Sequence, residues 1–210
     1  MAYPRRAEAV VTQTPATPVT GLVLAGGQGR RMQGADKGWV YWHGRPLIEH
    51  VLARLRPQVD ALLISANRNL PRYRALGYPV VEDDHTRLGA YSGPLAGIYA
   101  GLQGVRTPWL AVVPCDAPAL PLDLVGRLLA AARAAQAPAV AVCAQRREPV
   151  FCLLPRSAAA SLAAALQAGV RRPADFLAAA GAVEVCFDDA AAFLNLNLPV
   201  AGIALTPEAP

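Results

Sequence analysis

From Thr20 onward, short runs of apolar residues alternate along the chain with longer stretches in which apolar positions recur at helical spacing. The runs predict strands at 21–24, 61–64, 79–81, 109–113, 139–142 and 183–185. The longer stretches predict helices at 46–56, 94–103, 121–135, 157–168 and 173–180. Strands and helices taking turns make a parallel sheet with crossover helices. The runs are apolar throughout, as in Trp109-Leu110-Ala111-Val112-Val113, which is the pattern of strands covered on both faces. Pro46, Pro94, Pro121 and Pro173 stand at the predicted helix starts, where the N–H that proline lacks has no helical partner to lose. The pattern as a whole predicts an α/β protein, a three-layer α/β/α fold with a mostly parallel, Rossmann-like sheet.

Residues 1–18 hold three Pro, three Thr and the pair Arg5-Arg6 but no apolar period, and are expected to be a flexible N-terminal extension. A single domain is expected over 19–202 and a C-terminal tail over 203–210; 210 residues suit one domain. Hydrophobic residues make up 54% of the chain and charged residues 17%, which excludes a largely disordered protein. Ala9-Val10-Val11 is too short for the apolar region of a secretory signal, and no run of about 18 apolar residues offers a membrane span. A cytoplasmic protein without membrane contact is the expectation.

The net charge of +5 comes from scattered pairs, Arg5-Arg6, Arg30-Arg31, Arg146-Arg147 and Arg171-Arg172. These suit small anionic ligands better than nucleic acid, which calls for a denser basic face. Cys115, Cys143, Cys152 and Cys186 are 28, 9 and 34 residues apart, without a C-x-x-C pair, and are expected to be reduced, buried thiols. His43, His50 and His85 show no metal spacing and are expected to be structural or exposed. Trp39, Tyr41 and Trp42 look like an amphipathic hairpin belonging to the core.

Ligands of such sheets bind beyond the carboxyl ends of the strands. The first run leads into Leu24-Ala25-Gly26-Gly27-Gln28-Gly29-Arg30-Arg31-Met32-Gln33-Gly34-Ala35-Asp36-Lys37. Glycines there let the backbone approach a ligand and aim N–H groups at phosphate, and Arg30, Arg31 and Lys37 add positive charge. A P-loop is excluded, because Gly34 is followed by Ala35 and Lys37 by Gly38; a dinucleotide fingerprint is excluded, because Met32 stands where its third glycine belongs. Asp116 ends the most hydrophobic strand, where a carboxylate is costly unless paired or bound to a cation. Mg²⁺ needs only one or two carboxylates beside substrate phosphates; the alternative is a cap for the helix near Pro121. Asn67 and Asp83 follow strands and face the same rim, the alternatives being a turn and a solvated acidic loop. Asn195 and Asn197 alternate with leucines, which would place both amides on one face of a strand.

Leu24-Ala25-Gly26-Gly27, Arg31-Met32 and Asp36-Lys37 resemble the signature loop of the molybdenum cofactor guanylyltransferase family, within the nucleotidyltransferases. Further matching motifs follow in order. They are Ser65-Ala66-Asn67-Arg68, Val81-Glu82-Asp83, Gly93-Pro94-Leu95-Ala96-Gly97, Pro114-Cys115-Asp116-Ala117-Pro118, Gln167-Ala168-Gly169-Val170-Arg171-Arg172 and Asn195-Leu196-Asn197-Leu198-Pro199. The resemblance covers about residues 20–199; Gln33, Ser65 and Val200 depart from the usual residues. It implies a nucleotidyltransferase fold and transfer of GMP from GTP to the terminal phosphate of molybdopterin, with pyrophosphate released. It implies Arg31, Lys37 and Asp116 as catalytic residues and Mg²⁺ as cofactor, held by Asp116. GTP would be bound by Leu24, Ala25, Gly26, Gly27, Lys37, Ser65, Asn67, Asp83, Gly93, Pro94, Leu95 and Asp116, and molybdopterin by Asn195, Asn197, Arg171 and Arg172. The implied partners are these two substrates and, in transient contact, cofactor-synthesis proteins or molybdoenzyme chaperones, with the chain itself a monomer. Molybdopterin cytidylyltransferases tend to carry Leu-Ala-Ala-Gly instead, and a non-catalytic pterin or nucleotide carrier would not need the lysine and the carboxylate.

Overall fold

The structure, a computed structural model, describes residues 17–27, 36–83 and 93–196. Among these, β1 (Val19–Leu24), β4 (Ala61–Ser65), β5 (Val80–Val81), β6 (Trp109–Pro114), β7 (Ala139–Cys143), β8 (Arg146–Pro155) and β9 (Val183–Phe187) form one sheet in the order β5-β4-β1-β6-β8-β7-β9. Two short strands, β2 (Tyr41–Trp42) and β3 (Arg45–Pro46), make a separate hairpin. Central β1 pairs in parallel with β4 and β6, and β4 with β5. The helices are α1 (Leu47–Leu55), α2 (Leu70–Arg74), α3 (Pro94–Gly104), α4 (Leu124–Ala135), α5 (Ala158–Gln167) and α6 (Pro173–Ala179).

The apolar strands bury both faces. On one side Val23 of β1 packs with Val51 and Leu55 of α1 and Leu124 and Leu128 of α4. On the other, Leu22 packs with Ile98 and Leu102 of α3, Leu162 of α5 and Phe176 of α6. Helices therefore cover both faces of a mostly parallel sheet, the expected three layers.

Three local expectations are corrected. β8 was absent from the predicted strands, yet it is the longest, ten residues running antiparallel to both β6 and β7. It is joined to β7 through Ala144 (φ 47°) and Gln145 (φ 60°), a two-residue hairpin turn with both residues left-handed and neither of them the usual Gly or Asn. Proline opens α3 and α6 as expected, but Pro46 is the residue before α1, and α4 begins at Leu124 after Asp123 rather than at Pro121. Asp116 is therefore not the cap of α4. Residues 194–196 have no regular structure where a strand was expected.

Trp39 is half-buried with its ring centroid 5.1 Å from that of Tyr73, and Tyr41 and Trp42 are likewise half-buried, so the aromatic hairpin borders the core rather than filling it. His43 is exposed in the β2–β3 turn and the His50 Nε2 lies 2.8 Å from the Trp42 carbonyl oxygen; His85 lies outside the described residues.

Cys115, Cys143 and Cys152 are buried free thiols, but Cys186 on edge strand β9 is exposed, against the expectation that all four are inside. Burial pushes the Cys152 thiol up to about 12. Because the thiolate is the reactive form, iodoacetamide at neutral pH is expected to alkylate Cys186 in the folded protein. The other three should react only on unfolding, as peptide mass mapping would show.

Candidate active site

The carboxyl ends of β5, β4, β1 and β6 stand side by side under a cavity of about 520 Å³. Among its walls is Asp116, two residues beyond β6 and 5% exposed. Its Oδ2 accepts a hydrogen bond from the Lys37 Nζ at 3.1 Å, the two side chains being 7% and 32% exposed. This partner offsets the cost of burying the carboxylate. The loop that follows Asp116 is pinned by α1 and the turn after it: Arg54 Nε donates to the Leu120 carbonyl at 2.6 Å and Gln58 Nε2 to the Pro121 carbonyl at 2.9 Å.

Lys37 is itself held in place. It opens a 3₁₀ turn, Lys37–Trp39, capped by Asp36, whose Oδ1 accepts from the Gly38 amide at 3.3 Å. The same oxygen accepts from the hydroxyl of fully buried Tyr73 at 2.6 Å, and the other carboxylate oxygen accepts from Asn69 Nδ2 at 2.9 Å. Three donors thus fix the carboxylate next to the lysine. Burial raises the Tyr73 hydroxyl pKa, and the nearby Cys115 and Asp36 act in the same direction, so the phenol remains a donor to Asp36.

Beyond β4 and β5, Asn67 and Asp83 clasp each other. The Asn67 Nδ2 donates to the Asp83 carboxylate and the Asp83 amide to the Asn67 Oδ1, both at 2.8 Å. Across the cavity the first turn of α3 contributes Gly93, Pro94 and Gly97. Gly93 adopts φ 71°, ψ −166°, a conformation that excludes residues with a Cβ. At Gly97 a Cβ would lie 2.5 Å from the Ser65 Oγ and 3.0 Å from Leu24, so only glycine lets the helix approach β1 and β4 this closely. A Cβ on Gly27 would meet nothing within 4 Å among the described residues.

Leu24, Ala25, Gly26, Gly27, Lys37, Ser65, Asn67, Asp83, Gly93, Pro94, Asp116 and Asn195 are brought together around the one cavity. Leu95 is not among its walls: it is fully buried in the core beside α5 and α6. Arg171 and Arg172 are not among the walls either, although the Arg171 backbone carbonyl lies 3.3 Å from where a Cβ on Gly93 would stand. The Arg171 guanidinium donates to the carbonyls of Leu166 at 2.7 Å and Val170 at 3.0 Å, closing the end of α5, and Arg172 is an exposed residue at the start of α6. Arg31 and Asn197 lie outside the described residues. Val150 of β8 also lines the cavity; it lies within a strand that no apolar run announces, and not beyond a strand end, so the sequence pattern does not signal it. Pro114 and Cys115 also line it. Burial raises the Cys115 thiol pKa, with Asp116 and Asp36 reinforcing this and Lys37 opposing it, so the thiol beside the carboxylate is neutral.

The sequence pattern of the MobA-like NTP transferase domain matches residues 21–183. The molybdenum cofactor guanylyltransferase of Cupriavidus taiwanensis is 48% identical over 185 residues, covering 85% of this chain and 92% of its own. The chain belongs to the molybdenum cofactor guanylyltransferase family of MobA-like NTP transferases. The guanylyltransferase of Bordetella petrii is likewise 48% identical, covering 86% and 93%. Among solved structures, molybdopterin-guanine dinucleotide biosynthesis protein A from Archaeoglobus fulgidus superposes with a TM-score of 0.67 at 25% identity, over 86% of this chain and 93% of that one. The 2-C-methyl-D-erythritol 4-phosphate cytidylyltransferase from Thermus thermophilus superposes with a TM-score of 0.62 at 18% identity, over 85% and 92%, a likeness of fold. In this guanylyltransferase family member the Lys37–Asp116 pair therefore lies at the carboxyl edge of a nucleotidyltransferase sheet.

Proposed function

We propose that the protein transfers GMP from GTP to the terminal phosphate of molybdopterin. The observation that carries the reading is the buried Asp116 carboxylate with the Lys37 ammonium 3.1 Å away, both lining a cavity whose other walls suit a nucleotide. An oxygen of the acceptor phosphate forms a bond to the α-phosphorus of GTP. The bond from that phosphorus to the bridging oxygen breaks, and its electron pair leaves with pyrophosphate. The nucleophile is already an anion, so positioning and charge neutralisation supply most of the catalysis, and the neutral Cys115 thiol is not called upon.

Lys37 neutralises charge on the departing pyrophosphate, together with Arg31. The backbone at Gly26 and Gly27 approaches the phosphates. Among the described residues no group of three His, Cys, Asp or Glu side chains gathers to hold a metal. One buried carboxylate facing the cavity nevertheless fits Mg²⁺, which completes its shell with phosphates and water. Asp116 would hold the ion, and when bound it would offset charge on the triphosphate. Asn67, Asp83 and Ser65 hold the nucleoside, and Asn195 with Asn197 the pterin. Arg171 and Arg172 neutralise the acceptor phosphate, with the Nη1 of Arg171 already bonded to the carbonyls of Leu166 and Val170. Among the described residues no helix is long and apolar enough to cross a membrane, and the reaction is assigned to the cytoplasm, in a monomer that contacts cofactor-synthesis proteins or molybdoenzyme chaperones only transiently.

Guanine is selected where Leu24, Ala25 and Gly97 bring backbone to its edge, since a wrong base leaves buried polar groups unpaired at about 1–3 kcal/mol each. Release of labelled pyrophosphate from GTP, CTP and ATP in the presence of molybdopterin tests the reading. Preference for GTP by roughly a hundredfold is expected. Equal use of CTP would favour a cytidylyltransferase, and binding without pyrophosphate release a carrier.

The network behind Lys37 yields its own expectation. Tyr73→Phe removes the 2.6 Å donor from Asp36 and loosens the turn that presents the lysine. Steady-state kinetics beside a thermal melt should show turnover lowered roughly tenfold in a folded protein, as expected for slight misplacement of a charged group.

A further inference from the structure

The cavity follows the sheet edge from Asp83 at β5 to Asp116 at β6, and beyond Asp116 its wall changes character. There it is made by Val150 and Asn195. Adjacent strands are about 4.8 Å apart, so the edge from β5 to β6 has the length of one nucleotide and the region beyond β6 is left for a second substrate.

Val150 reaches the cavity through an irregularity of β8. Cys152 stands opposite Val112 of β6 and Val140 of β7, but the next residue of β7, Ala141, stands opposite Glu148. Three residues, Pro149, Val150 and Phe151, are therefore paired with neither neighbour, and the strand bulges as such insertions do. Glu148, 7% exposed, closes the base of the bulge with Arg146, whose guanidinium lies 2.7 Å away. Phe151 turns into the core and meets Phe193 with ring centroids 4.9 Å apart. Phe193 ends the turn Ala190–Phe193, and two residues later Asn195 lines the cavity. The Leu196 amide donates to the Asp116 backbone carbonyl at 2.8 Å, tying this segment to the chain that carries the carboxylate. The bulge thus presents Val150 directly and supports Asn195 from behind.

We propose that the β8 bulge builds the acceptor side of the cavity and that Val150 is its specificity-determining residue, the apolar surface on which the ring of a phosphorylated heterocycle lies. The proposal rests on the guanylyltransferase reading above. An aliphatic side chain makes no hydrogen bond, so it rewards a flat apolar face and gives nothing to a phosphate ester without a ring. Asn195 supplies the polar contact beside it.

The test uses the full chain with GTP and molybdopterin, comparing Val150→Phe and Val150→Ala with the unaltered protein. Phenylalanine fills the acceptor side, and the KM for molybdopterin is expected to rise by about tenfold or more, whereas the Kd for GTP measured without acceptor stays within about twofold, the signature of lost acceptor binding alone. The Val150→Ala variant, which only trims the wall, should raise the acceptor KM by about threefold. GTP affinity falling in parallel, or an unchanged acceptor KM in variants that melt like the parent, would overturn the inference. If Val150→Phe fails to fold, the alanine variant decides by the same criterion. Absence of transfer in the unaltered protein would sink the guanylyltransferase reading and this inference with it, whereas transfer with unshifted acceptor KM in the variants removes the inference alone.

Discussion

Asp116→Asn is expected to leave the chain folded while turnover falls by roughly a hundredfold or more, since an amide cannot supply the charge that a hard divalent cation takes from a carboxylate. The substitution keeps the shape of the side chain and leaves the backbone contact from the Leu196 amide to the residue 116 carbonyl in place. The segment carrying Asn195 should therefore stay docked. Lys37 loses its counter-charge, but at 32% exposure water can solvate it, so melting temperature should move little. The decisive measurement is turnover against Mg²⁺ concentration. Full Mg²⁺-dependent activity in the variant would move the ligand to another carboxylate, and Asp83, across the same cavity, is the next in reach.

Lys37→Ala should behave differently, because it strands a buried carboxylate. A charge-assisted contact to phosphate is worth about 1.5–3 kcal/mol, so turnover is expected to drop by roughly tenfold to a hundredfold. Asp116, 7% exposed on its side chain, is then left without its cation, and removing one partner of such a pair is more damaging than removing both. The single variant should melt distinctly lower than the parent. Lys37→Ala combined with Asp116→Asn should regain much of that melting temperature and none of the activity, so that a double-mutant comparison separates what the pair does for the fold from what it does for catalysis. Unchanged turnover in folded Lys37→Ala would remove the lysine from the chemistry.

Most of this site is legible from the sequence because its residues follow strands, and strands buried on both faces are written as unbroken apolar runs. Leu22 and Val23 announce the Gly26-Gly27 turn, and Val112 and Val113 announce Asp116. What the sequence conceals is whatever depends on pairing. β8 begins with Arg146-Arg147-Glu148-Pro149, residues that suit no buried strand, and its turn uses Ala144 and Gln145 in place of a recognisable glycine. Its polar start is accommodated by ion pairs, Arg146 with Glu148 and Arg147 with Glu184, which no local pattern reveals. With β8 hidden, Val150 is hidden too. Leu95 errs in the opposite direction: it belongs to a motif beside the site, yet the helical period of α3 turns its side chain into the core, while Gly93, Pro94 and Gly97 face the cavity. The part played by Asp36 depends on Tyr73 and Asn69, which are far from it in the chain and meet it only after α2 folds against the 3₁₀ turn.

The clasp between Asn67 and Asp83 has a bearing on how fast the edge of the sheet opens to solvent. β5 pairs with β4 through only Val80 and Val81, and strands this short fray readily. The Asp83 amide is secured by an asparagine side chain rather than by a neighbouring strand. Its deuterium uptake consequently reports on the opening of a side-chain latch that belongs to the cavity wall, whereas uptake at Ala66, whose amide donates to the Val81 carbonyl at 3.0 Å, reports on the strands themselves. A ligand that grips Asn67 would slow the first clock more than the second, giving a readout of occupancy that needs no turnover.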